Sequence, residues 1–120
     1  MPPGNSHLIT GKLGEAIAET YLCSLGYEIL ERNWRFSKSE IDLIAKHEEL
    51  LVFIEVKTRT YDYFGPPESF VSEHKELLIH EAASAYMDKI NYDWEIRFDI
   101  IGILLDSNGT HKLEHFKDAF

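Results

Sequence analysis

Apolar positions along the chain follow two different periods. Leu13, Ile17 and Tyr21 with Ala18, Leu22 and Leu25 recur at spacings of three and four, which predicts a helix that buries one stripe and stops at Gly26. Ser6 or Thr10 can cap its start, which leaves the residues before Ser6 as a frayed tail. Leu78, Ile79, Ala82, Ala83, Tyr86 and Ile90 repeat the helical period and predict a second helix from Ser72 to about Ile90, its alanine-rich face suited to close packing on a sheet. The remaining apolar runs are strand-like. Tyr27 to Phe36 alternates at its start, and Ser39–Lys46 and Leu51–Arg59 are apolar arms parted by His47-Glu48-Glu49, a hairpin pattern. Trp94 to Leu105 has Trp94, Ile96, Phe98 and Ile100 on one face and becomes apolar on both from Ile100, as an interior strand would. The turn Asp106-Ser-Asn-Gly109 then lets Lys112–Phe116 return as an edge strand. This order predicts one α/β domain over residues 1–120, a sandwich of a mixed sheet with a helix on each side.

The hairpin carries charge where apolar residues are expected. Phe53, Glu55 and Lys57 share one face of their strand, while Val52, Ile54, Val56 and Thr58 share the other, expected to be the core face. An even number of residues in the loop sets Asp42 opposite Phe53 or Glu55, so both registers bring the two carboxylates onto one face, their Cβ atoms roughly 5 to 8 Å apart. Such a pair needs a cation. Two readings stand: a Mg²⁺ or Mn²⁺ site with Lys57 beside it, or a solvated ion-pair cluster of Asp42 and Glu55 with Lys57 and Arg59.

Asp42, the hairpin, and Glu55-Val56-Lys57 together resemble the Asp…Glu-x-Lys signature of the restriction-endonuclease-like nucleases. More narrowly, Glu40-Ile-Asp-Leu-Ile-Ala45 and Phe53-Ile-Glu-Val-Lys-Thr-Arg59 resemble the small bacterial YraN family, whose members are similar to Holliday-junction resolvases. Ser39 stands where that family usually has glycine. Gly11-Lys-Leu-Gly-Glu-Ala-Ile-Ala18 resembles the family's opening helix, whose acid points at the hairpin. The resemblance implies a restriction-endonuclease-like fold and a Mg²⁺- or Mn²⁺-dependent endonuclease acting on DNA, branched DNA included, as a homodimer. It further implies Asp42, Glu55 and the Val56 carbonyl as metal ligands, Lys57 orienting the attacking water, and Glu15 assisting. A basic residue near Lys75 and the Arg97-Phe-Asp99 run also match, which suggests a phosphate contact and a supporting role. Taken by themselves these are a solvated lysine and a simple ion pair; Glu15 alone would complement the helix dipole, and Glu19 one turn on would face solvent.

Gly11 and Gly14 each cost a helix about 1 kcal/mol against alanine, so they point to close approach of another backbone or a ligand. Tyr61-Asp-Tyr-Phe-Gly-Pro-Pro67 has no period; its rings suit either stacking on exposed bases or covering the sheet edge. The formal net charge of −9 opposes a polyanion partner, yet six of the twelve basic residues lie between positions 31 and 59, matched there by six acids. A non-catalytic adaptor binding nucleic acid or protein is therefore the competing reading. A lone Cys23, placed to pack in the first helix, and the lack of an apolar stretch near 18 residues or a secretion signal lead us to expect a cytoplasmic protein with no membrane partner. No Cys/His spacing suits zinc, and no glycine-rich phosphate loop is present.

Overall fold

The structure is a computed structural model that describes residues 3–60 and 71–120. The aromatic stretch Tyr61–Pro67 lies outside the described residues. The elements run α1 (Pro3–Ser24), β1 (Glu28–Phe36), β2 (Ser39–His47), β3 (Leu50–Arg59), α2 (Glu73–Lys89), β4 (Ile96–Leu105) and β5 (His111–Phe116). The five strands lie in sequence order in one sheet, antiparallel except for β3 beside β4. A parallel pair needs a crossover, and α2 is its helix.

Each face of the sheet has its own helix and its own core. Ala18 and Leu22 of α1 pack on Leu43, Ala45, Val52, Ile54, Ile101 and Ile103. Ile79, Ala82, Ala83 and Tyr86 of α2 pack on Ile44, Leu51, Phe53, Phe98 and Ile100. Val52, Ile54 and Val56 thus bury as expected, but the opposite face is core as well: Phe53 is 0 % exposed. Burial on both faces is why β3 reads as one long apolar run.

Several boundaries and faces differ from the sequence reading. Helix α1 begins at Pro3, ahead of Ser6 and Thr10 and within the expected tail; proline suits a first helical position, where its fixed φ fits and its missing N–H has no partner to lose. The stripe of α1 is narrower than its period suggests. Ala18 and Leu22 are buried, but Leu13 and Leu25 at its two ends are exposed, and so is Cys23, one residue round the helix from Leu22. Trp94 lies ahead of β4 and is 66 % exposed. Helix α2 starts as predicted, with Ser72 Oγ accepting the Lys75 N–H at 3.1 Å. The β2–β3 connection is the two residues Glu48 and Glu49, between the paired His47 and Leu50.

Gly14 faces Thr58 of β3. A Cβ on Gly14 would stand 1.8 Å from Thr58 Oγ1, so glycine lets α1 approach the strand that carries Glu55 and Lys57. Gly11 has no neighbour within 4 Å of its Cβ position, and the expected close approach does not occur there.

Candidate active site

Pairing of β2 with β3 runs from His47↔Leu50 to Leu43↔Ile54. Continuing that register by one step sets Asp42 against Glu55, one of the two alignments expected. Backbone pairing does not continue with it. Instead the Val56 N–H donates to Asp42 Oδ2 at 2.8 Å, so the carboxylate replaces a main-chain acceptor where the strands part.

The strands also lose their alternation at this level. On β1, Arg32 pairs with Glu19 of α1, whereas Trp34, two residues later, packs edge to face on Tyr86 of α2. On β2, Leu43 belongs to the α1-side core and Ile41 to the α2-side core. Residues two apart on a regular strand share a face. The residues between are Asn33 and Asp42, and Asn33 holds a φ of 50°, in the left-handed region that asparagine tolerates better than most residues. The reversal turns Asn33 toward α1, where its Nδ2 donates to Glu15 Oε1 and to Glu40 Oε1, both at 3.1 Å. Glu15 is thereby held facing the hairpin, and its charge acts on Asp42. Glu19 is not free in solvent, because Arg32 pairs with it.

Glu55 is 5 % exposed; its Oε1 accepts from Lys75 Nζ of α2 at 2.6 Å and forms a longer ion pair with Lys57 Nζ at 3.8 Å. Lys75 is therefore not a solvated lysine. It takes the place given to Arg59 in the ion-pair expectation; Arg59 instead turns away and donates from Nη1 to the Thr58 carbonyl. Lys38, Ser39, Glu40, Asp42, Glu55, Lys75 and Leu78 line an open cleft of about 440 Å³ at the start of α2.

Burial, reinforced by the Glu55 charge and more weakly by Glu15, pushes the Asp42 carboxyl up to about 7, against the Val56 N–H and the Lys75 charge. Burial and the neighbouring Lys75 hold the Lys57 ammonium below its ordinary value. Burial is the largest single influence on Lys75 and opposes its charge, but the bond to Glu55 together with the charges of Glu55 and Asp42 outweighs it and raises the ammonium. The two acids are thus incompletely compensated, an environment that attracts a cation. Among the described residues no three His, Cys, Asp or Glu side chains gather as a metal cage. Two carboxylates with only oxygen donors still fit Mg²⁺ or Mn²⁺, since Mg²⁺ is commonly held by one or two carboxylates and retains water. Asp42, Glu55 and the Val56 carbonyl are the groups that would hold it.

Arg97 and Asp99 lie elsewhere, on the α1 side of β4. Asp99 is 0 % exposed, accepts from Arg97 Nε and Nη2 at 2.8 Å and from the Asp118 N–H at 3.0 Å, and lies 2.7 Å from His115 Nε2. His115 Nδ1 bonds Tyr21, and Arg97 donates to Tyr27. This network ties α1 and β5 to the sheet and does not reach Glu55.

Asn33 and Glu40 were not singled out from the sequence. An asparagine inside a strand is a weak signal of a left-handed position, and its partners Glu40, across the β1–β2 hairpin, and Glu15, on α1, are joined to it only by the fold.

The model of the family described as Uncharacterised protein family UPF0102 matches residues 14–103, a span that includes Glu15, Asp42, Glu55, Lys57 and Lys75. A UPF0102 protein of Flavobacterium psychrophilum is 46 % identical over 114 residues, 95 % of each chain. One from Christiangramia forsetii is 44 % identical, again over 95 % of each chain, and one from Pelobacter propionicus is 43 % identical over 92 % of this chain and 81 % of its own.

Proposed function

Since the chain belongs to the UPF0102 family, whose name carries no activity, we propose its function from the site itself: a metal-dependent endonuclease that hydrolyses phosphodiester bonds in structured or branched DNA. The observation that carries this reading is a pair of acids, the buried Glu55 and the half-buried Asp42, aligned at the point where β2 and β3 part and opening into a cleft beside two lysines. A Mg²⁺ or Mn²⁺ ion held there would polarise the scissile phosphate and stabilise the charge that develops on it. Asp42 and Glu55 supply the negative charge that binds such an ion, and Val56 fixes Asp42 through its N–H. Lys57 would orient a water and accept or release its proton, a role supported by its ammonium being weakened by burial and lying beside Glu55. Glu15, held toward the hairpin by Asn33, assists through the charge it sets on Asp42.

A second reading is a non-catalytic adaptor on the same fold. The Lys75–Glu55 pair favours it, because an ammonium already offsets one acid, and so does the net charge of −9.

Cleavage assays decide between them. Duplex, flap, single-stranded and four-way-junction DNA are incubated at low salt with Mg²⁺ or Mn²⁺ and wild type, Asp42→Asn, Glu55→Gln or Lys57→Met. We expect branched DNA to be cut by wild type and cutting to fall by about a hundredfold or more in each variant. Calorimetric Mn²⁺ binding to wild type that is lost in Glu55→Ala, with no cleavage of any substrate, would move the assignment to the adaptor.

A further inference from the structure

Lys75 stands in the first turn of α2, where Ser72 caps its backbone N–H at 3.1 Å. The start of a helix carries partial positive charge, so a lysine there is disfavoured by its own helix. What holds the ammonium is the acid pair: Nζ lies 2.6 Å from Glu55 Oε1 and also feels the charge of Asp42. The side chains differ in freedom. Lys75 is 39 % exposed, Lys57 24 % and Glu55 5 %, so the Lys75 stem can rotate into solvent while Glu55 stays fixed in the sheet.

A divalent cation bound to Glu55 and Asp42 would bring two positive charges to the oxygen that the ammonium now occupies. Repulsion from that ion and from the helix end would then push Lys75 the same way, out of the cleft. We propose that Lys75 is a displaceable counter-ion of the acid pair, an ammonium that occupies the place of a divalent cation and swings outward when one binds. This rests on the reading of Asp42 and Glu55 as metal ligands. It adds that the metal-free chain compensates its acids internally, and that metal affinity is set in part by the cost of evicting Lys75.

The test follows the side chain and the metal separately. Side-chain ammonium NMR spectra of ¹⁵N-lysine-labelled protein are recorded as Mg²⁺ is added, the Lys75 signal being assigned by its loss in Lys75→Arg and, independently, in Lys75→Met. Mn²⁺ binding is measured by calorimetry at mildly alkaline pH for wild type, Lys75→Met and Lys75→Arg. We expect a protected Lys75 ammonium signal without metal that disappears at saturating Mg²⁺. Lys75→Met should bind Mn²⁺ roughly two- to fivefold more tightly than wild type, the size of one partly exposed ion pair, and Lys75→Arg should resemble wild type. A Lys75 signal unmoved at saturating metal overturns the proposal, and does so even if Lys75→Met fails to fold. Equal Mn²⁺ affinity in wild type and Lys75→Met removes the counter-ion but leaves the metal site standing. Absence of Mn²⁺ binding in both removes the metal site as well.

Discussion

Asp42 is the residue at which burial and charge are most opposed. Its carboxyl is raised from an ordinary 3.8 to about 7, first by burial and then by Glu55. The folded chain therefore holds this proton more tightly than the unfolded chain, so stability falls as pH rises from about 4 through about 7 and stays lowered above that. Asp42→Asn keeps an acceptor for the Val56 N–H and removes the charge. We expect it to stabilise the protein at pH 8 by on the order of 2 kcal/mol and to change little at pH 4, measured by urea unfolding at both values. Asp99 has the opposite sign. Burial alone would raise its carboxyl, but His115, Arg97 and the Asp118 N–H together hold it below its ordinary value. Its contribution is present above the unfolded value and is lost as pH falls through the lower folded one. Asp99→Asn leaves Arg97, 19 % exposed, without its counter-charge and should cost about 3 kcal/mol at neutral pH while leaving Mn²⁺ binding unchanged. A loss of metal affinity in that variant would place Asp99 in the site after all.

At the scale of elements, the site depends on how closely α1 lies on β3. Gly14 makes the approach: a methyl group there would meet Thr58 Oγ1 at 1.8 Å and Thr58 Cβ at 2.9 Å. Thr58 is β-branched and cannot easily turn aside. Gly14→Ala should cost roughly 1–3 kcal/mol and weaken activity by shifting Lys57, while Gly11→Ala, with open space around it, should be neutral or stabilise by up to about 1 kcal/mol. Thermal melts of the two variants check this, and equal melting temperatures would show that the helix adapts freely. The left-handed Asn33 matters in the same way, since it turns β1 so that one side chain can bond acids from α1 and β2 together.

The whole molecule carries a net charge of −9, which shapes any encounter with DNA. Few phosphate contacts should make binding weak and only mildly salt-dependent, so we expect affinity for a four-way junction to fall with a shallow slope as salt rises. A junction offers two equivalent strands, and a two-fold dimer would match them. The dimer belongs to the proposed function, and light scattering with and without junction DNA checks it: a mass of one chain per junction would count against it. No helix among the described residues is long and apolar enough to cross a membrane.

Periodicity and turn chemistry were enough to order the elements and bring Asp42 near Glu55. Both are local properties: alternation along the strands put the two acids on one face in either of two registers, and the two-residue loop between His47 and Leu50 in the structure selects the one that aligns them. The presence of Asp42, Glu55 and Lys57 in one pattern, and the family they resemble, were likewise legible in the chain. The partners of those residues were not. Lys75 reaches Glu55 across 20 residues and a crossover helix, and Asn33 joins Glu15 to Glu40 through a backbone reversal that strand periodicity does not anticipate. The same holds for exposure. The apolar period of α1 includes Leu13 and Leu25, but the sheet beneath covers Ala18 and Leu22 and leaves both ends of the stripe in solvent. Short-range pattern determines which face a side chain takes where a strand is regular; only the tertiary structure decides where that alternation breaks, whether anything covers the face, and which charge comes to rest on a buried acid.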